Sequence, residues 1–232
     1  ITAVGSGNAT ITVKTVDGNH TATCVVTVKI VVPEGAVDLG LSVFWATCNL
    51  GASNPEEFGN YYAWGETETK SDYSLNTYKF YKTEKSTDGE FEVEYKGYTK
   101  YVTEKDAEAH GFKGLYDNKT VLDPEDDVAH VLLGGKWRMP TEAEFKELKN
   151  NCTWQWAEYY GAEGYKVTSN KSGYTDKWIF LPASHFINGK KMDTVWNSGN
   201  YQSSSLASWD HNNNIGVCLS FRSGSINVGT SS

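Results

Sequence analysis

Long apolar runs are missing from this 232-residue chain. No stretch approaches the ~20 residues that a helix needs to cross a bilayer, and no basic segment followed by an apolar one opens the sequence. A membrane span is therefore not expected. Cations are scarce too: 21 Lys and Arg stand against 29 Asp and Glu, a formal charge of -8. Proteins that grip a phosphate backbone carry clustered Lys and Arg, so nucleic acid is set aside as a partner. The four cysteines, Cys24, Cys48, Cys152 and Cys218, form no CxxC pair and have no His at zinc-ligand spacing. Their even number permits disulfides, while a single Cys in an apolar strand is commonly a small buried hydrophobe. A Gly-x-Ser-x-Gly elbow, a Walker loop and an HExxH helix are all lacking. His110, His130, His185 and His211 lie far apart in sequence. These absences predict a protein without catalytic residues, metal or cofactor.

What is present is aromatic. Tyr, Trp and Phe make up 13%, with 14 Tyr and 8 Trp, while Met is nearly absent. Such rings suit either a β-rich core or a surface on which amphipathic rings anchor a partner, and composition leaves both open. The length suffices to bury a core without cysteine staples.

Residues 8 to 30 read as a hairpin. Ile11 and Val13 alternate with Thr and Lys, Asp17-Gly18 supplies the turn, and Ala22, Cys24, Val26 and Val28 alternate again. Two strands alone are not stable in water, so this piece, residues 1–32, is expected to be the tail of a β-sandwich. Residues 33–36, around Pro33-Glu34-Gly35, read as a stiffened linker. Residues 37–232 form a second unit without internal repeats. A first helix is expected from Asp123-Pro124-Glu125-Asp126, with Asp123 as its cap and Val128, Val131 and Leu132 on its buried face. A second is expected from the capping box Thr141-Glu142-Ala143-Glu144, burying Phe145, Leu148 and Cys152. Phe91, Val93 and Tyr95 around Lys96-Gly97 read as hairpins and loops. Later come short strands at Tyr165–Val167, Trp178–Leu181 and Val217–Phe221. Helices followed by strands imply an α+β domain.

Two stretches carry family resemblances. Ile1–Val13 with Thr21–Val28 resembles the closing half of the group 2 bacterial immunoglobulin-like domain, a stalk or spacer in surface adhesins. Val37–Ala52, Tyr61-Tyr62-Ala63-Trp64-Gly65-Glu66 and Gly135-Lys136-Trp137-Arg138-Met139-Pro140-Thr141 resemble the Fibrobacter-type major paralogous domain, abundant in secreted and lipid-anchored proteins of Bacteroidetes. That domain is similar to the C-type-lectin-like fold, two helices on short antiparallel sheets, which formylglycine-generating enzymes and the variable proteins of diversity-generating retroelements share. The resemblance covers most of residues 37–228. It departs where the family shows Gly-Tyr-Tyr-Trp-Ser-Ser-Ser and this chain has Gly199-Asn200-Tyr201-Gln202-Ser203-Ser204-Ser205, and a closing Ser-Val-Arg segment is not seen before Ser232, which suggests a truncated last strand. Trp45, Trp64 and Trp137 are expected in the core. Arg138 is expected to be a buried strut whose guanidinium satisfies several carbonyls.

The resemblance implies a ligand-binding or adhesion protein, secreted or displayed on a cell surface, lipid-anchored in a longer precursor or borne on a phage virion. Its partner would be a protein or glycan on a cell surface. The site expected from the residues is a mixture of aromatic anchors and short adaptable hydrogen-bonders near the C-terminus, the chemistry of antibody paratopes. It comprises Trp196, Asn197, Asn200, Tyr201, Gln202, Ser208, Trp209, Asp210, His211, Asn212, Asn213, Asn214, Arg222, Ser225 and Asn227. Tyr201, Trp209, His211 and Asn212 to Asn214 are expected to be exposed together. Retroelement-diversified proteins vary residues in this part of the fold, often from Asn codons, which an Asn-rich segment fits. Calcium is not expected: Asp123, Glu125, Asp126 and Asp127 have the spacing of a helix start, and Trp196-Asn197-Ser198 lacks the carboxylate of sugar-binding lectins. The alternatives are a structural or assembly module of a surface lipoprotein and, further off, an enzyme of the formylglycine-generating type.

Overall fold

The computed structural model describes residues 7–29, 31–88, 91–105, 116–184, 186–193, 197–207 and 216–229, with backbone alone for 83–88, 91–96, 186, 188 and 191–193. The chain divides into two compact units, Ile1–Ala36 and Val37–Ser232.

In the first unit β1 (Gly7–Lys14) and β2 (Thr21–Val28) pair antiparallel, with Ile11 opposite Cys24 and Val13 opposite Ala22. Opposed residues share a face and successive ones alternate. One face therefore carries Ala9, Ile11, Val13, Ala22, Cys24, Val26 and Val28, and the other is a ladder of Thr with Asn8, Lys14 and Val25. The Thr15 N–H donates to the His20 carbonyl at 2.9 Å and Asn19 takes φ 56°, so the chain reverses around Asp17-Gly18 as expected. Where a linker was expected, the Ala36 N–H donates to the Pro33 carbonyl at 3.2 Å. Gly35, at φ 73°, lets this tight turn form.

The second unit is mixed, with two helices among short antiparallel strands. After the two-residue strands β3 (Ala36–Val37) and β4 (Trp45–Ala46) comes a hairpin of β5 (Tyr81–Asp88) and β6 (Phe91–Tyr98). Lys96-Gly97, read as a turn, lies inside β6 opposite Thr83 and Lys82; the reversal falls at 89–90, outside the described residues. Helices α1 (Val128–Leu133) and α2 (Glu142–Asn151) follow. One three-stranded sheet is β7 (Cys152–Tyr159), β8 (Ala162–Ser169) and β9 (Trp178–Pro182). A small ladder joins β10 (Phe186–Asn188) and β11 (Lys191–Asp193). The second three-stranded sheet is β12 (Ser198–Leu206), β13 (Gly216–Arg222) and β14 (Ser225–Gly229).

The capping box of α2 forms as read. Thr141 Oγ1 accepts the Glu144 N–H at 3.3 Å and the Glu144 carboxylate accepts the Thr141 N–H at 2.8 Å. Phe145 and Leu148 are buried against the two sheets. Cys152, assigned to that helix from sequence, instead opens β7, because the helix ends at Asn151. The first helix needs a larger correction. Pro124–Asp126 is a 3-10 turn whose flanking Asp123 makes no capping bond. The cap is Asp127, which accepts the His130 N–H at 3.0 Å. The six-residue helix that results buries only its first turn, Val128 and Ala129, and leaves Val131 and Leu132 half exposed.

Two hydrophobic clusters result. One gathers Leu39, Phe145, Leu148, Tyr165, Val167, Leu219 and Phe221 between α2 and the two sheets. The other is built from loops and α1 around Trp64, Tyr78, Phe80, Tyr98 and Tyr101, rings that meet edge to face. Trp64 is core as expected, Trp45 is partly buried on Phe145, and Trp137 is only half-buried, because it lies on the open segment after Gly135. Among the described residues no helix is long and apolar enough to cross a membrane.

Candidate functional site

The C-terminal sheet assembles most of the predicted residues that are described. Its register sets three rows across the strands: Ser198, Arg222 and Ser225; Asn200, Ser220 and Asn227; Gln202, Cys218 and Gly229. Rows two residues apart along a strand lie on one face. Asn200, Gln202, Arg222, Ser225 and Asn227 therefore share a face about 10 Å across at ordinary strand spacing. Gln202, Arg222, Ser225 and Asn227 are exposed, as is Asn197 at the edge, where its φ of 69° is one an Asn tolerates. The Arg222 guanidinium has no ion-pair partner among the described residues. Asn200 is half-buried, and its Oδ1 is shielded from solvent without a hydrogen-bond partner among those residues.

The intervening rows point the other way. Gly199, Tyr201, Leu219, Phe221, Ile226 and Val228 face the cluster beneath α2. A Cβ on Gly199 would come within 2.2 Å of the Phe221 ring, so only glycine lets that ring lie across the strand. The β13–β14 turn is held by Tyr165, whose hydroxyl donates to the Arg222 carbonyl at 3.2 Å and accepts the Gly224 N–H at 3.0 Å.

Tyr201 is the correction within the predicted site. Expected to be exposed, it stacks on Phe221 with ring centroids 5.8 Å apart. Its hydroxyl donates to the Pro182 carbonyl at 2.7 Å and accepts from Asn49 Nδ2 at 3.3 Å. Burial pushes its phenol well above the usual range. Strand alternation accounts for this, since Tyr201 sits between Asn200 and Gln202 and must face inward if they face outward. Trp196, Ser208, Trp209, Asp210, His211, Asn212, Asn213 and Asn214 lie outside the described residues.

Beyond Gln202 the strand leaves the ladder, and Ser203 and Ser204 are buried. Here the Ser203 carbonyl accepts the Trp64 indole N–H at 2.8 Å, and the Ser204 N–H donates to the Pro140 carbonyl at 2.8 Å. Ser205 Oγ accepts the first N–H of α2 at 3.0 Å. The serine triplet ties the sheet to the helix start and to the aromatic cluster. Sequence reasoning gave it no role.

The acidic group is occupied by lysines. Lys100 Nζ lies 2.6 Å from Asp123 Oδ2 and 2.5 Å from Asp126 Oδ2, and Lys79 Nζ is 2.6 Å from Asp126 Oδ1. Tyr101 donates to Asp126 Oδ2 at 2.6 Å. Asp123, Glu125 and Asp126 are close enough to share a cation, and the Lys100 ammonium already lies among them. Burial alone would raise the Asp126 pKa, but Lys100, Lys79 and Tyr101 outweigh it and hold the carboxyl below its ordinary value. The buried thiols move the other way: desolvation pushes Cys152 up to about 11 and Cys218 up to about 12, away from the reactive thiolate. Arg138 forks onto Glu144 and donates to the Met139 carbonyl at 3.1 Å, a strut as expected, though on the surface rather than buried.

No family model, curated protein or solved structure matches this chain.

Proposed function

We propose that residues 37–232 are a non-catalytic binding head of C-type-lectin-like fold, carried on the closing part of an immunoglobulin-like domain and working outside the cytoplasm. The observation that carries this reading is the one-sidedness of the C-terminal sheet. Apolar residues and Tyr201 are turned inward, while Asn200, Gln202, Arg222, Ser225 and Asn227 are gathered on the opposite face. An arginine without a partner, among short amides and hydroxyls, suits a polar ligand surface such as a cell-surface protein or glycan. The setting is a secreted or surface-displayed protein, lipid-anchored in a longer precursor, or a phage virion. In the diversified version of this reading, residues 197–227 are the variable segment, and a reverse transcriptase gene with a template repeat of their codons lies beside the gene.

The test is a screen of the whole chain against arrays of surface glycans and a panel of surface proteins. A ligand of this face should bind roughly tenfold or more weakly to the Gln202→Ala/Arg222→Ala/Asn227→Ala variant, whose unfolding midpoint stays near that of the parent. Binding that survives the triple replacement would reject this face as the site.

The assembly-module alternative draws on a different feature, the apolar face of the hairpin, on which Val13 is 63% exposed. It is favoured if the chain binds no ligand in such a screen yet associates with other components of the same surface. The formylglycine-type reading has least support, since both buried thiols are pushed away from their nucleophilic form.

A further inference from the structure

A groove of about 340 Å³ lies away from the polar sheet face, between α1 and the segment that leads into α2. Leu122, Pro124 and Trp137 give it apolar walls, and Asp127, His130, Lys136 and Arg138 line the rest. Its shape comes from two glycines. Gly134 and Gly135 take φ 68° and 59°, so the chain folds back and the Trp137 N–H reaches the Gly134 carbonyl at 3.1 Å. The Trp137 carbonyl then lies 3.2 Å from His130 Nδ1, which ties the segment to the helix.

The polar groups of this lining are spoken for, with two exceptions. The Asp127 carboxylate takes the His130 N–H and, through both oxygens at 3.0 and 2.9 Å, the Met139 N–H. Arg138 is neutralised by Glu144. The Lys136 ammonium and the Trp137 indole N–H have no partner among the described residues. In a protein of charge -8, the groove thus offers one uncompensated positive charge and one open donor beside an apolar wall.

We propose that this groove binds a small organic carboxylate, with the carboxylate on Lys136 and the carbon body against Trp137, Leu122 and Pro124. A single negative charge neutralises the single free cation, and a charge-assisted hydrogen bond is stronger than a neutral one. The apolar walls favour a ring or hydrocarbon body over a bare inorganic anion, which would find no other open cation. A sugar acid and an aromatic acid share this chemistry.

The test uses the full chain, isotope-labelled, with the Trp137 indole N–H signal assigned by its loss in Trp137→Phe. Phenylacetate and glucuronate are titrated in parallel with their uncharged counterparts phenylacetamide and glucose. The expected result is a saturable shift of the Trp137 signal with at least one carboxylate and none with its neutral counterpart. Lys136→Met should weaken that binding roughly tenfold, the worth of one hydrogen bond to a charged group. Gln202→Ala/Arg222→Ala should leave it unchanged, which separates this groove from the sheet face. Whichever acid binds more tightly identifies the body the groove prefers. No shift with either acid, an equal response to the amide or to glucose, or undiminished affinity in Lys136→Met would overturn the proposal.

Discussion

The two faces of the sheet β12–β14 are made from the same three strands and differ in everything else. On the inner face Leu219 is fully buried, Phe221 nearly so, and the Phe221 ring meets Tyr201, Tyr165, Trp154 and Trp156. On the outer face the side chains are amides, hydroxyls and one guanidinium, four of them exposed. Apolar burial is worth about 25 cal/mol for each Å² removed from water, so the inner face carries the stability. Exposed polar residues away from buried partners contribute within about 0.5 kcal/mol. The outer face is therefore free to change without cost to the fold, which is what a recognition surface requires. The comparison also separates polar groups by direction: those turned inward, such as the Tyr201 hydroxyl and Asp126, are structural.

The largest effect is expected from Phe221→Ala, which removes a ring shared by four aromatic neighbours and should lower unfolding free energy by about 3–5 kcal/mol in denaturant titrations. A loss below about 1 kcal/mol would mean that the inner face is not the main support. Next comes Asp126→Ala, which strands two lysines and a tyrosine hydroxyl in the second cluster. It should cost about 3 kcal/mol, at the lower end for a broken buried pair because Lys79 is half exposed.

The same carboxylate sets a pH dependence. Its folded pKa is depressed, so its contribution is complete above the unfolded value of about 3.9 and drains away as pH falls through the folded value. Acid titration of the parent should show this loss below about pH 4, and Asp126→Asn should flatten it. A smaller effect is expected for Tyr201→Phe, about 1 kcal/mol, because stacking on Phe221 remains while the bonds to Pro182 and Asn49 are lost. Smallest of all, Gln202→Ala and Asn227→Ala should each stay within about 0.5 kcal/mol.

What could be read from the sequence was local. The α2 capping box spans four consecutive residues, Thr141 to Glu144, and its two bonds need nothing from elsewhere. The hairpin turn around Asp17-Gly18 and the strand at Val217–Phe221 are local in the same sense. Asp123 looked like a helix cap because Pro124 followed it. Its carboxylate is taken by Lys100 and Lys119, the first of them 23 residues away in sequence, and the cap passed to Asp127.

Other features were legible but not used. Strand β7 shows alternation in Cys152, Trp154 and Trp156, which the preceding helix pattern absorbed. Period-two reasoning at Asn200-Tyr201-Gln202 would have turned Tyr201 inward. The serine triplet carried no local signal, because Trp64, Pro140 and Glu142, the groups it satisfies, come from distant loops. The outer face came through because its members are spaced by two along β12 and β13 and related by a tight turn at Ser223-Gly224.

The central claim is that recognition lies on the outer face of this sheet. The most direct measurement is the affinity of the Gln202→Ala/Arg222→Ala/Asn227→Ala chain for a ligand captured by the parent, taken together with its unfolding midpoint. The account predicts a loss of roughly tenfold or more in affinity with an unchanged midpoint. Full affinity in the variant, or a loss that merely follows a lowered midpoint, would contradict it.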